Sequence, residues 1–188
     1  MMNKLSLLLT GSVMTISMLS AAPAKAQDVS VQKMADAIFS VIEADRAVYT
    51  KNVVQRLQND EEVITAEEHW KEESALPLPA QMLRMGAERV SEKKSGFSYA
   101  LLSLWAINKQ NKPRSEFEQK ALESLNKNGK NVYGNEELGG KKYFTAVYPD
   151  VAVSKACVTC HNDHIDSPKK DFKVGEMMGG LVIRIPLD

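Results

Sequence analysis

The chain has few of the residues that define several common classes of protein. Its 188 residues include only two cysteines and three histidines, and aromatic residues make up 6% of the total. Lys and Arg together number 24, as do Asp and Glu, so no excess of positive charge indicates nucleic acid or an anionic membrane as a partner. Outside residues 5–20, no stretch is apolar over the length needed to cross a bilayer. The length of the chain is that of one ordinary domain.

The N-terminus has the pattern of an export signal. Residues 1–4 are short and positively charged, residues 5–20 are apolar with small side chains, and Ala24-Lys25-Ala26 forms an A-x-A cleavage site before Gln27. A retained membrane anchor is the alternative, but Thr, Gly and Ser interrupt the apolar run. We therefore expect a signal peptide at residues 1–26, export to the periplasm, and a single domain at residues 27–188 with 22 basic and 24 acidic residues.

Both cysteines lie in one short motif, Cys157-Val158-Thr159-Cys160-His161. The spacing C-x-x-C-H is typical of c-type haem attachment, in which the two thiols add to the haem vinyl groups and the adjacent imidazole can bind the iron. A redox dithiol, a tight disulfide or half of a zinc site are the other interpretations. A dithiol does not need the following histidine, and no second Cys/His pair has zinc spacing. The motif thus predicts one covalent haem c, with His161 as the proximal iron ligand.

The remaining sequence predicts helices first and a mixed unit afterwards, an α+β fold. Apolar residues recur at helical spacing over residues 28–58, which predicts one long amphipathic helix. Thr65 begins a possible capping box for a short helix that would carry His69, and residues 76–79 should be extended because of their two prolines. Further helices are predicted at residues 80–94 and 115–128, and strands at residues 97–105, 141–148 and 180–185. The strands are expected to pair antiparallel.

With these elements and the haem motif, the chain resembles the PAS-like c-type haem domain family. Members are a cyanobacterial haem protein and the extracytoplasmic sensor regions of some bacterial signalling proteins. The matching segments are residues 49–53, 78–80, 103–118, 157–161 and 179–185. The resemblance implies a long N-terminal helix packed on a PAS-like antiparallel sheet, with haem near the C-terminal strands and a sensing or redox role.

The sequence leaves the sixth iron ligand open. Some relatives use a cysteine on the far side of the haem, and this chain has none to spare. His164 lies only three residues after His161, so we expect it to be exposed or hydrogen-bonded near the haem rather than to bind the iron from the opposite face. His69 is the preferred distal candidate, Met82 or Met34 are alternatives, and an empty site is also open. Weaker candidates are Tyr49, Met85, Met177 and Met178.

Polar residues outside the motif suggest further haem contacts. Arg184 alternates with apolar neighbours in the last predicted strand and could bind a haem propionate, because a guanidinium matches a carboxylate geometrically. Asn108 and Asn111 flank a turn, where amide side chains usually bond to the local backbone. Lys169 and Lys170 could meet the propionates or an acidic partner, but a solvated loop also explains them.

Three functions are compatible with these features. The first is redox or ligand sensing by a periplasmic monohaem cytochrome, with an unknown redox or signalling protein as partner or a diatomic gas as ligand. The second is simple electron transfer in a respiratory chain. The third, a haem peroxidase, has little support, because only His69 could serve as a distal histidine, so we expect no enzyme. A homodimer through the long helix remains open.

Overall fold

The structure is a computed structural model that describes residues 29–187, so the predicted signal peptide lies outside the described residues. Four α-helices and six strands are present, together with a π-helix and a short 3₁₀ turn. The helices are α1 (Val31–Val48), α2 (Pro79–Glu92), α3 (Glu116–Asn128) and α4 (Lys155–Asp163). The strands are β1 (Ala66–Glu67), β2 (Leu76–Pro77), β3 (Ser98–Leu102), β4 (Val132–Leu138), β5 (Lys141–Val151) and β6 (Met177–Pro186). None of the helices in this part of the chain is long and apolar enough to span a membrane.

The long N-terminal helix is present as predicted. Ser30 caps it by accepting a hydrogen bond from the Lys33 backbone N–H, and α1 then continues directly into a π-helix at Tyr49–Asp60. The wider turn of a π-helix needs i→i+5 hydrogen bonds, and the bond from the Glu61 N–H to the Arg56 carbonyl has this spacing. The conversion from α to π geometry changes which side chains face inward along the second half of the helix.

A four-stranded antiparallel sheet forms the centre, in the order β3-β6-β5-β4. The predicted α+β class, with a long helix packed on an antiparallel sheet, is therefore confirmed. Strand β4 was not predicted from the sequence. It pairs with β5 through a tight turn at Gly139-Gly140, whose φ angles of 58° and 75° require glycine-like freedom. A Gly-Gly pair between two runs is a recognised hairpin signal, so this strand was predictable.

Successive residues of β5 and β6 face opposite layers, as the period of a strand requires. Phe144, Ala146 and Tyr148 of β5 pack in a cluster with α1 and α2, and Phe39 of α1 stacks on Tyr148 with ring centroids 4.1 Å apart. The opposite face, which includes Val182 of β6, packs against α3. The sheet therefore separates two apolar layers, one below the long helix and one below α3.

The short helix predicted around His69 is wrong. Residues 66–67 form strand β1, which pairs in parallel with β2, and His69 lies in a series of turns. The Thr65 carbonyl accepts a hydrogen bond from the Leu76 N–H, so the backbone that would begin the helix is used for strand pairing. The proline at position 77 keeps the partner strand extended and so favours this arrangement.

Candidate functional site

The C-x-x-C-H motif lies on helix α4, between β5 and β6. Positions i, i+3 and i+4 of a helix share one face, so Cys157, Cys160 and His161 point to the same side. The helix begins after Ser154, whose side chain does not cap it. Instead, Gln55 Oε1 of the π-helix accepts a hydrogen bond from the Ala156 N–H at 3.2 Å. The π-helix thereby fixes the start of the motif helix.

The motif face borders a single large cleft. The cleft encloses about 1270 Å³, including the part that is open to solvent. Its walls are α4, the end of α1 with the π-helix, the start of α2, and residues 101–111. Cys157, Cys160 and His161 all contribute to the lining, among mainly apolar side chains such as Val54, Leu78 and Leu102. The cleft therefore joins the motif to a partly apolar, solvent-open space in which a cofactor could contact all three motif residues.

The imidazole of His161 is held in a form suited to binding a metal. Burial lowers the pKa of His161, and His164 and Arg46 lower it further by charge repulsion. The Phe172 ring meets the imidazole edge to face at 5.9 Å. The buried Nδ1 atom has no hydrogen-bond partner among the described residues. A neutral imidazole is the ligating form, so this environment favours coordination over a protonated surface histidine.

Both thiols are free. Cys157 is half-buried and lies near the Ser154 hydroxyl, with 3.6 Å between the oxygen and the sulfur. Desolvation raises the pKa of the Cys160 thiol, and the Glu68 carboxylate raises it further. Catalytic dithiols have a cysteine whose pKa is lowered so that it is a thiolate at neutral pH, and Cys160 is shifted in the other direction.

A buried ion pair forms part of the cleft wall. The Arg46 guanidinium contacts the Asp150 carboxylate in bidentate fashion, with N–O distances of 2.6 Å and 3.1 Å. Burial raises the pKa of Asp150, while the Arg46 charge opposes this shift and Glu43 adds to it. Neither residue was identified from the sequence. No local motif signals such a pair, because its members lie on α1 and β5, 104 positions apart.

The predicted propionate ligand Arg184 does not reach the cleft. Its side chain lies on the α3 side of the sheet, between the carboxylates of Glu118 and Glu136. The Nε–Oε1 distance to Glu136 is 3.0 Å, and Arg184 is 15% exposed. Its neighbours Ile183 and Ile185 face the long helix, so the strand period turns Arg184 to the other face. We therefore withdraw Arg184 from the candidate haem ligands.

The structure also does not bring the preferred distal candidates into the cleft. His69 is exposed, in a shallow depression beside Cys160 and His164. Met34 is 43% exposed on α1, and Met82 is half-buried on α2, with neither lining the cleft. His164 lies at the cleft edge with its Nε2 atom 3.3 Å from Glu68 Oε1. Among the described residues, the imidazoles that line the cleft are therefore those of His161 and His164.

Other predicted residues do line the cleft. Met178 is buried beside Cys157 in a small cluster with Phe172, and it is the only thioether among the lining residues of the described chain. Asn108 and Asn111 also line the cleft. The Asn108 side chain accepts a hydrogen bond from the Gln110 N–H, which is the turn role expected from the sequence.

Comparisons with known proteins agree with this architecture. The crystal structure of the cyanobacterial heme-protein Tll0287 is similar, with a TM-score of 0.54 and 14% sequence identity over 85% of this chain and 98% of that one. A comparison with curated protein sequences finds no match. The family model described as Tll0287-like matches residues 24–186, nearly the whole chain. The chain therefore belongs to the Tll0287-like family.

Proposed function

We propose that this chain is a monohaem c-type cytochrome of the periplasm that acts in redox or ligand sensing. One observation carries the proposal: the three chemically active residues of the C-x-x-C-H motif share one helix face and line one cleft. The structural neighbour is described as a heme-protein, which supports a haem cofactor here as well. The predicted export signal supports a periplasmic location, which is the compartment in which haem is attached to such motifs.

Each residue of the motif has a distinct role in this proposal. Cys157 and Cys160, which are one helical turn apart, would hold the haem covalently as thioethers to its vinyl groups. His161 would supply the proximal nitrogen, and its burial favours the neutral imidazole. Haem would supply a redox-active and gas-binding iron. The apolar residues of the cleft would limit access of water to it.

The composition of the cleft lining favours sensing over electron transfer. Outside the motif, the described lining residues include the amide residues Asn108 and Asn111, and the one further imidazole is that of His164. Amides and hydroxyls are weak ligands for haem iron, whereas carriers typically use a second histidine or a methionine. When the sixth ligand of the iron is weak, a diatomic gas can replace it. Binding of the gas can then report its concentration in the surroundings.

A visible spectrum of the full chain matured in the periplasm tests the proposal. Mass spectrometry should show one haem bound through two thioethers, and Cys157→Ala with Cys160→Ala should abolish it. Carbon monoxide should shift the spectrum of the reduced protein. A matured chain without haem would refute the proposal. A six-coordinate spectrum that carbon monoxide does not change would refute ligand sensing.

Electron transfer is the second candidate, and Met178 is the observation in its favour. Met178 is the thioether nearest the motif, since it packs with Cys157. If Met178 binds the iron, Met178→Leu should convert an unreactive six-coordinate haem to one that binds carbon monoxide. We expect no peroxidase activity, because His69, the candidate distal histidine, is exposed and does not line the cleft.

A further inference from the structure

The proximal candidate His161 lacks the contact that usually orients a metal-binding histidine. Such a histidine normally donates its second ring N–H to a carboxylate, a backbone carbonyl or a water, and this bond fixes the orientation of the ring. In this chain Nδ1 of His161 is buried and has no partner among the described residues. Its burial leaves Nε2 as the ring nitrogen that can bind a metal. The orientation of the imidazole therefore depends on packing.

The ring of Phe172 supplies that packing. Phe172 is 3% exposed, and its ring meets the imidazole at 88° with 5.9 Å between the two centroids. The same phenyl ring contacts Trp105 at a steep angle with 5.7 Å between centroids, and the Lys169 ammonium lies 4.4 Å from its centre. Perpendicular ring contacts are a preferred geometry for aromatic side chains. A phenyl ring held by these neighbours therefore restricts rotation of the imidazole.

Asn162, the residue after His161 on α4, holds the backbone at Phe172. Its Nδ2 atom donates to the Phe172 carbonyl, and its Oδ1 atom accepts from the Phe172 N–H, both at 3.0 Å. The amide thus pairs with this residue through one donor and one acceptor, as a neighbouring strand would. The segment at residues 164–176 contains no helix or strand of its own. Asn162 therefore ties Phe172 to the helix that carries His161.

We propose that Asn162, acting through Phe172, is a positioning residue that fixes the imidazole plane of His161 for iron binding. This role rests on the proposed haem function. Loss of the two hydrogen bonds frees Phe172, and the imidazole plane then takes a different or broader range of orientations, while Cys157 and Cys160 still hold the haem.

The test compares holoproteins matured in the periplasm by paramagnetic NMR of the oxidised state. The shifts of the haem methyl protons depend on the orientation of the axial imidazole plane, whereas a loss of stability alone leaves them unchanged. Asn162→Ala removes both hydrogen bonds, and Phe172→Leu removes the ring but keeps an apolar side chain. Each variant should change the spread of the methyl shifts relative to the parent. The double variant should change it no more than Phe172→Leu alone, because the two residues act along one path.

A matched control is Glu176→Ala. Glu176 Oε2 accepts from the Lys173 N–H at 3.0 Å, so its loss weakens the same segment beside Phe172 but leaves the two Asn162 hydrogen bonds in place. Methyl shifts in Asn162→Ala that match the parent would overturn the inference, as would an equal change in the control or additive effects in the double variant. If Phe172→Leu does not fold, Asn162→Ala against its control decides.

The parent protein separates this inference from the proposed function. Covalent haem in the parent with unchanged methyl shifts in Asn162→Ala would refute the positioning role only. A parent without haem would refute the proposed function itself.

Discussion

Replacing Arg184 by methionine separates a structural role of this residue from a haem-binding role. Methionine keeps much of the side-chain length and volume but removes the charge and the hydrogen bonds. The substitution leaves Glu118, which is fully buried, and Glu136, which is 6% exposed, without their cation. Since both carboxylates lie below α3 and away from the cleft, we expect a loss of stability with the haem environment unchanged.

The size of the effect follows from the burial of the three groups. Removing one partner of a buried ion pair costs about 3–5 kcal/mol, because it leaves an uncompensated charge in a poorly solvated site. Glu118 retains its hydrogen bonds from the N–H groups of Arg114 and Ser115, so we expect a value near the lower end, about 3 kcal/mol. For a domain of this size, that corresponds to a fall in Tm of roughly 6–12 °C.

The assay is urea unfolding of the holoprotein followed by circular dichroism, with the visible spectrum and reduction potential measured in parallel. Arg184→Met combined with Glu118→Gln should recover part of the lost stability, because the fully buried carboxylate is then neutral. A shifted haem spectrum or potential with little change in unfolding free energy would refute the reasoning. It would place Arg184 near the propionates after all.

Three further substitutions test separate parts of the fold. Gln55→Ala removes the acceptor for the Ala156 N–H and the amide donor to Asp60, and it should cost about 0.5–2 kcal/mol in urea unfolding and lower the yield of attached haem, while Asp60→Ala removes the second contact alone and should keep that yield. Gly180→Ala should cost about 1–3 kcal/mol in the same assay, because the new Cβ would lie within about 3 Å of α3 side chains; an unchanged midpoint would show that the core can relax there. Tyr148, whose hydroxyl donates to Asp36 at 2.8 Å, has a pKa raised by burial and by this bond, so its folded pKa exceeds its unfolded value of about 10. Its contribution is full below about pH 10 and is lost above it, so Tyr148→Phe should weaken the alkaline fall in stability; an identical pH profile would contradict this.

Features that depend on neighbouring residues in the sequence could be predicted, whereas contacts between distant residues could not. The motif and its residues Cys157 and His161 were identified from spacing alone, because five consecutive residues carry the whole pattern, whereas the helix α4 on which they lie was not predicted. The long helix and the main strands followed from periodicity, which is also local. Arg46 and Asp150 were missed because their pairing exists only after α1 folds across the sheet, and strand alternation could not say which face Arg184 would take. Propensity also failed near His69, where pairing of two short strands overrides a capping box.

The polar residues that line the cleft favour a sensor over an electron carrier. An electron carrier benefits from the same strong axial ligands in both oxidation states, because little then reorganises when the electron moves. In this chain the proposed ligand His161 lines the cleft together with the amide residues Asn108 and Asn111. Amide oxygens bind iron weakly, but amide N–H groups can stabilise a polar diatomic ligand on it. Replacement of Asn111, which lines the cleft and whose side chain makes no hydrogen bond within the described residues, should therefore change gas affinity more than reduction potential. Asn111→Leu measured by carbon monoxide and oxygen titration, with potential as the second readout, makes that comparison, and a change confined to the potential would favour the carrier.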